Sequence, residues 1–190
     1  RQMCIRDSNK RSRSHGLSPA IIKAQAGAMS IPSIIAGAAW DGYEEVFLHH
    51  LAVLQDQGVS DGIFGDIDLE PHRQWVERVC AACGITAHLP LWQTERRELL
   101  QDFIGAGFQA LIVVVDRNRL DESFLGRGLD MDTIADLEAA GVDACGEEGE
   151  YHSLVFDGPL FSSALQLRHN GIVRQDNYSF LEVDLEYKEM

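Results

Sequence analysis

Cationic side chains are scarce in this chain: 16 Lys and Arg stand against 30 Asp and Glu, for a net charge of −14. They are also unevenly placed. Residues 1–13 carry +4, so residues 14–190 carry −18. A body of that sign repels a phosphate backbone, which excludes non-specific nucleic-acid binding. A small phosphorylated ligand stays open, because helix N-termini and backbone amides hold phosphate locally. Long hydrophobic runs are missing too. The apolar stretch at 110–115 is far too short to cross a bilayer, and no apolar block follows the basic start as a secretory signal requires. Neither a membrane nor a nucleic acid is therefore an expected partner.

Cysteine is sparse, with four in 190 residues. Cys4, Cys80, Cys83 and Cys145 show no framework spacing, which excludes a disulfide scaffold and points to free thiols in a reducing cytoplasm. Cys80 and Cys83 fit C-x-x-C, but a metal site needs a second pair. In the last turn of an amphipathic helix they read as small apolar packing residues. The motifs G-x-S-x-G, H-E-x-x-H, G-x-G-x-x-G and G-x-x-x-x-G-K-[ST] are all lacking. No nucleophile and no metal ligand can be named.

What is present is an ordinary globular composition, 45% hydrophobic and 24% charged, over a length that buries a core without staples. Residues 1–13 have no period and differ in charge sign from the rest. They read as a disordered arm or as foreign sequence, and stand outside the fold reading. From residue 14 two patterns alternate. Helices are predicted at 19–29, with Ser18 as N-cap and Pro19 at the first position, and at 41–57, 71–83, 94–106 (Thr94 as N-cap) and 131–140. Strands are predicted at 31–37, 61–67, 85–89, 108–115 and 151–156. The run FQALIVVV at 108–115 is the strongest of these, almost continuously apolar, as for a strand covered on both faces. Near the C-terminus Asn170-Gly171 between β-like runs predicts a hairpin, and 181–185 a last strand.

Helix–strand alternation from 18 to 115 predicts an α/β fold: a mainly parallel sheet with helices on both faces, and a ligand beyond the carboxyl ends of its strands. Strands near 32–36, 61–66, 85–88 and 108–115 are expected in that one sheet. The ligand rule points at Gly65-Asp66, at Pro90–Trp92, and at the residues after Val115. The densest candidate is CGEEGEY, 145–151. Its glycines let backbone approach a ligand, and its carboxylates could orient a hydroxyl, an amine or a metal–phosphate. A solvated acidic loop is the plainer reading of the same residues. His88 and His152 each read as structural, and the pair His49-His50 as a partly exposed helical pair with no partner spacing.

Several segments taken in order resemble a known family. They are His15-Gly16, GIFGDI (62–67), Arg73 with Trp75, Glu77 and Cys80, PLW (90–92), ELL (98–100), LG (125–126), GVDACGEEGEY (141–151) and DGPLF (157–161). This order resembles the diphthine–ammonia ligases, the PP-loop ATP pyrophosphatases with a Rossmann-like, adenine nucleotide alpha hydrolase-like domain. The resemblance covers about residues 14–161, leaving 162–190 as a C-terminal β-hairpin extension. CGEEGEY resembles the family's Glu-Gly-Gly-Glu signature: Glu147, Gly149 and Glu150 match, Glu148 replaces a glycine, and His152 stands where an acid is frequent.

The resemblance implies an ATP-dependent carboxylate–ammonia ligase. ATP, with Mg2+, adenylates a carboxylate and ammonia displaces AMP. The carboxylate would belong to a modified protein such as elongation factor 2. It implies that Glu147 and Glu150 position substrate or ammonium, that Asp66 and Arg73 form the pocket rim, and that Gly65, Trp92, Gly146 and Gly149 line the cleft. The family's first strand and Ser-Gly-Gly-x-Asp-Ser phosphate loop have no counterpart in these residues. The expectation is an N-terminally truncated domain, inactive by itself. Two alternatives stand beside it: a divergent nucleotide-binding pyrophosphatase acting on another small carboxylate, and a non-enzymatic α/β interaction module.

Overall fold

The computed structural model of the chain describes residues 2–6, 12, 14–39 and 41–186. Its first half is built from strand–helix units. Strand β1 (Gln2–Arg6) runs parallel to β2 (Ser33–Gly37), in register from Gln2 against Ser33 to Arg6 against Gly37. Part of the segment set aside on sequence grounds is therefore a strand. A ladder is held by backbone groups and needs no side-chain period to form. Helix α1 (Pro19–Ala28) starts as expected: Ser18 is extended, its hydroxyl accepts from the Ile21 amide at 3.4 Å, and Pro19 sits in the first turn. It buries Ile21, Ile22 and Ala26.

Helices α2 (Tyr43–Asp56) and α3 (Glu70–Ala82) bring Phe47, Leu51, Val79 and Cys80 together with Ile85 in one apolar cluster. It supports a second parallel pair, β3 (Asp61–Ile63) with β4 (Thr86–His88). Cys80 is an apolar packing residue there, and burial raises its thiol pKa, which keeps it unreactive.

The expected single parallel sheet requires correction. Strand β5 (Gln109–Asp116) lies inside a four-stranded antiparallel sheet, between β6 (Tyr151–Asp157) and β8 (Tyr178–Leu185), with β7 (Leu167–Gln175) outside β8. Its apolar run reports coverage on both faces, and that coverage is present. Leu111, Val113 and Val114 pack with Leu17, Ile21 and Ile22, while Ile112 and Val115 pack with Leu120, Phe124, Leu137 and Tyr151. Coverage does not specify strand direction. A bulge between Ile112 and Val114 lets two consecutive valines face the same side. The architecture is mixed α/β, with two small parallel pairs and one antiparallel sheet among the described residues.

Three boundaries also move. The strand predicted at 61–67 ends at Ile63. Asn170-Gly171 is a bulge inside β7, not a turn. The chain reverses at Asp176-Asn177, where Asp176 takes φ 50°. Helix α4 (Arg96–Gly105) is capped by Glu95 rather than Thr94: its carboxylate accepts from the amides of Arg97 and Glu98 at 3.1 and 2.9 Å. No helix among the described residues is long and apolar enough to cross a membrane.

Candidate functional site

The acid-rich loop before β6 folds around two of its own carboxylates. Asp143 accepts from the amide of Cys145 at 3.0 Å and from that of Glu147 at 3.2 Å, which curls 143–147 into a turn. Glu150 is fully buried. Its Oε1 accepts from the Asp143 amide at 3.1 Å and meets Arg119 Nη2 at 3.0 Å, while Oε2 has no partner among the described residues. Arg119 also holds Glu148, through its carbonyl at 3.0 Å and its carboxylate at 2.7 Å. The Tyr151 hydroxyl donates to the Ala144 carbonyl at 2.5 Å. Glu150 therefore ties the loop together from inside, and only Glu148 of the three acids is exposed.

Arg96, in the first turn of α4, connects this loop to the segment after β3. Its Nη1 and Nη2 reach Asp68 at 2.5 and 3.1 Å, and its Nε reaches Asp143 at 2.9 Å. Glu147 is half-buried beside this bridge, and its carboxylate makes no hydrogen bond or ion pair among the described residues. Burial raises its carboxyl pKa first, then Asp143, with Asp66 and Asp68 adding to the effect and Arg96 opposing it. Burial first, then Asp143, with Glu147 and Glu95 adding and Arg96 opposing, push the Cys145 thiol up to about 12, so it stays protonated and donates to the Arg96 carbonyl at 3.6 Å.

The structure thus brings Asp66 and Glu147 into one electrostatic neighbourhood, although not across the edge of one sheet. The 89–92 turn is tied to the same segment by the Gln93 amide, which donates to the Ile67 carbonyl at 2.7 Å. Arg73 stacks over the Trp92 ring at 5.2 Å and pairs with Glu77 at 2.8 Å, and the Trp92 indole N–H is buried without a partner among the described residues. Asp66 meets His72 at 3.3 Å. Gly65 is exposed, and a side chain there would meet nothing within 4 Å. Sequence reading missed Arg96, Asp68 and the organising role of Asp143. Asp143 lies inside a quoted motif, but Arg96 shares no spacing pattern with its partners.

Between α4, the loop and strand β6 lies a cavity of about 440 Å³, with Ile67, Leu91, Cys145 and Glu147 among its walls. On the other face of β6, His152 points away from Tyr151 as strand alternation requires, and its ring lies 4.9 Å from that of His15.

This mixed α/β chain, with Glu147 at the wall of a mostly apolar cavity, matches two models of one family: "Diphthamide synthase N-terminal domain" over residues 2–87 and "Diphthamide synthase C-terminal domain" over residues 95–188. The chain belongs to the diphthine–ammonia ligase (diphthamide synthase) family. It is 32% identical over 138 residues to the diphthine–ammonia ligase of Bos taurus, covering 70% of this chain and 52% of the relative. Identity to the Homo sapiens ligase is 31%, with the same coverage, and to the Schizosaccharomyces pombe ligase 32% over 55% of this chain and 18% of the relative. The chain spans about half the length of the mammalian relatives it matches.

Proposed function

We propose that the chain works as part of an ATP-dependent carboxylate–ammonia ligase, supplying the side of the site that handles the amine. The small-molecule partners are ATP, with Mg2+, and ammonia. The carboxylate partner is a modified protein of the elongation factor 2 kind, and the reaction takes place in the cytoplasm. Family membership supports the reaction class. The observation that carries the reading is Glu147: a carboxylate at a cavity wall, unpartnered among the described residues, while Arg96, the cation that acts on it, already serves Asp68 and Asp143. Such a group accepts N–H donors from an ammonium. Its raised pKa also makes it a better proton acceptor than an ordinary carboxylate when that ammonium must lose a proton to become a nucleophile. Asp143 and Glu150 hold the loop so that Glu147 does not swing away. Asp66 and Arg73 form the rim, with Trp92 beside them in the cleft lining.

The described residues do not fit a triphosphate. Ser18, Glu95 and Asp130 cap α1, α4 and α5 (Met131–Ala139) with their own side chains. α2 and α3 carry Glu44, Glu45 and Glu70 in their first turns. Each helix N-terminus is thus already neutralised or repels an anion. No step is assigned to these residues on the phosphates, and the 190 residues alone should turn over negligible ATP.

The test has two parts. The chain by itself is titrated with ATP by calorimetry; micromolar affinity would show that the phosphate site has been misplaced. The chain is then fused behind a Ser-Gly-Gly-x-Asp-Ser segment of a full-length relative and assayed for AMP and amide formation with ammonium. AMP release that Glu147→Gln suppresses is the expected result; no AMP release from a folded fusion that binds ATP would remove the ligase reading.

A further inference from the structure

The cavity beside Glu147 is much larger than ammonia needs. Its volume is about 440 Å³, whereas a water-sized molecule occupies roughly 30 Å³. It falls in the size range of pockets that take small organic ligands, roughly 300–1,000 Å³. Its walls are mostly apolar, from Leu99, Phe103, Phe108, Leu129 and Val155. The polar groups that line it are few and mostly committed. Tyr151 gives its hydroxyl hydrogen to the Ala144 carbonyl, and Cys145 gives its thiol hydrogen to the Arg96 carbonyl. Ser153 contributes a small neutral hydroxyl, and Asp102 is exposed at the outer turn of α4. That leaves Glu147 as the half-buried group facing the cavity with unused hydrogen-bonding capacity.

We propose that this cavity binds a small organic amine, with its apolar body against the Phe103 and Phe108 rings, which stack on each other at 5.1 Å, and its ammonium on the Glu147 carboxylate. This deepens the reading of Glu147 given above, on which it rests, by naming the amine class: the pocket is built for an alkyl or arylalkyl amine rather than for ammonia alone. Charge decides against the other amphiphiles of the same size. A carboxylate would meet Glu147 with Asp143, Asp66 and Asp68 near it. An alcohol would fill the apolar volume but bring one neutral donor to a carboxylate that has no countercharge of its own. An alkylammonium, protonated at pH 7 like a lysine side chain, brings three donors and the opposite sign.

The experiment titrates the full chain at pH 7 with n-hexylamine, 1-hexanol and hexanoate, following backbone amide shifts by NMR. Hexylamine should bind about 10-fold or more tighter than hexanol, as a charge-assisted hydrogen bond allows, and hexanoate should not bind. Shifts should centre on α4, β6 and residues 143–150. Glu147→Gln should lower hexylamine affinity to that of hexanol and leave hexanol unchanged. Ala106→Trp, which adds bulk from an exposed position at the cavity wall, should remove both. Equal binding of amine and alcohol by the unaltered chain, an amine preference that survives Glu147→Gln, or shifts mapping elsewhere would each overturn the proposal. Ammonia-dependent AMP formation by the fused protein without hexylamine binding would overturn it while leaving the ligase reading intact. Hexylamine binding without AMP formation would keep the pocket and remove that reading.

Discussion

Acidification should cost this protein stability through His15, before most of its carboxylates begin to protonate. The imidazole is largely buried against β6, and its pKa is lowered from the ordinary 6.5 to about 4, first by burial and then by His152. The sign follows from which state binds the proton first. The unfolded chain takes it up near 6.5 and the folded chain only near 4, so stability is complete above 6.5 and is lost as pH falls between those values. At pH 5 the unfolded state is nearly saturated and the folded state is not. The loss relative to pH 7 is then about 2 kcal/mol, rising to about 3 kcal/mol below both values. His152, lowered by burial, adds with the same sign. Glu147, whose pKa is raised, acts in the opposite direction, so the wild-type curve alone does not isolate His15.

The comparison that does is urea unfolding of the unaltered chain and His15→Gln at pH 7 and pH 5. The variant loses some packing at both pH values. Its loss between them should be about 2 kcal/mol smaller than that of the unaltered chain. Equal losses in the two proteins, or a His15 ring resonance titrating near 6.5 in the folded state, would refute the burial argument.

The loop before β6 yields three further expectations. Arg96→Met leaves Asp143, only 9% exposed, without its cation and should lower stability by about 2 kcal/mol, read as a fall in the thermal midpoint. Glu147→Gln removes a carboxylate that the fold disfavours in its charged form. It should stabilise the chain at pH 7, and the gain should vanish as pH falls below the ordinary 4.5; a destabilised variant at pH 7 would contradict the absence of a partner. Gly146 and Gly149 both have positive φ, at 69° and 81°, but a Cβ on Gly146 would lie 3.0 Å from Tyr151 while one on Gly149 meets nothing. Gly149→Ala should therefore cost about 1 kcal/mol of backbone strain and Gly146→Ala distinctly more, measured by chemical denaturation.

Much of the fold is legible in the residues themselves. Ser18-Pro19 fixes the start of α1, and the small and apolar residues of α3 place Cys80 in the core, because both are decided within a turn or two of helix. The seven-residue acidic signature is legible in the same local way. Sequence is silent wherever the answer depends on a partner far along the chain. FQALIVVV demands cover on both faces, but cover can come from parallel or antiparallel neighbours. The direction of β5 was decided by β6 and β8, some 40 and 65 residues later. Asn170-Gly171 permits a turn, yet β8 pairs on both sides of it and makes it a bulge. Arg96 has no motif. It matters only because folding sets Asp68 and Asp143, 28 residues before it and 47 after it, around one guanidinium and leaves Glu147 beside them with none. Backbone propensity and side-chain period act over a few residues. Strand direction, charge neighbourhoods and the cavity at Glu147 are properties of distances through space, which only the tertiary structure sets.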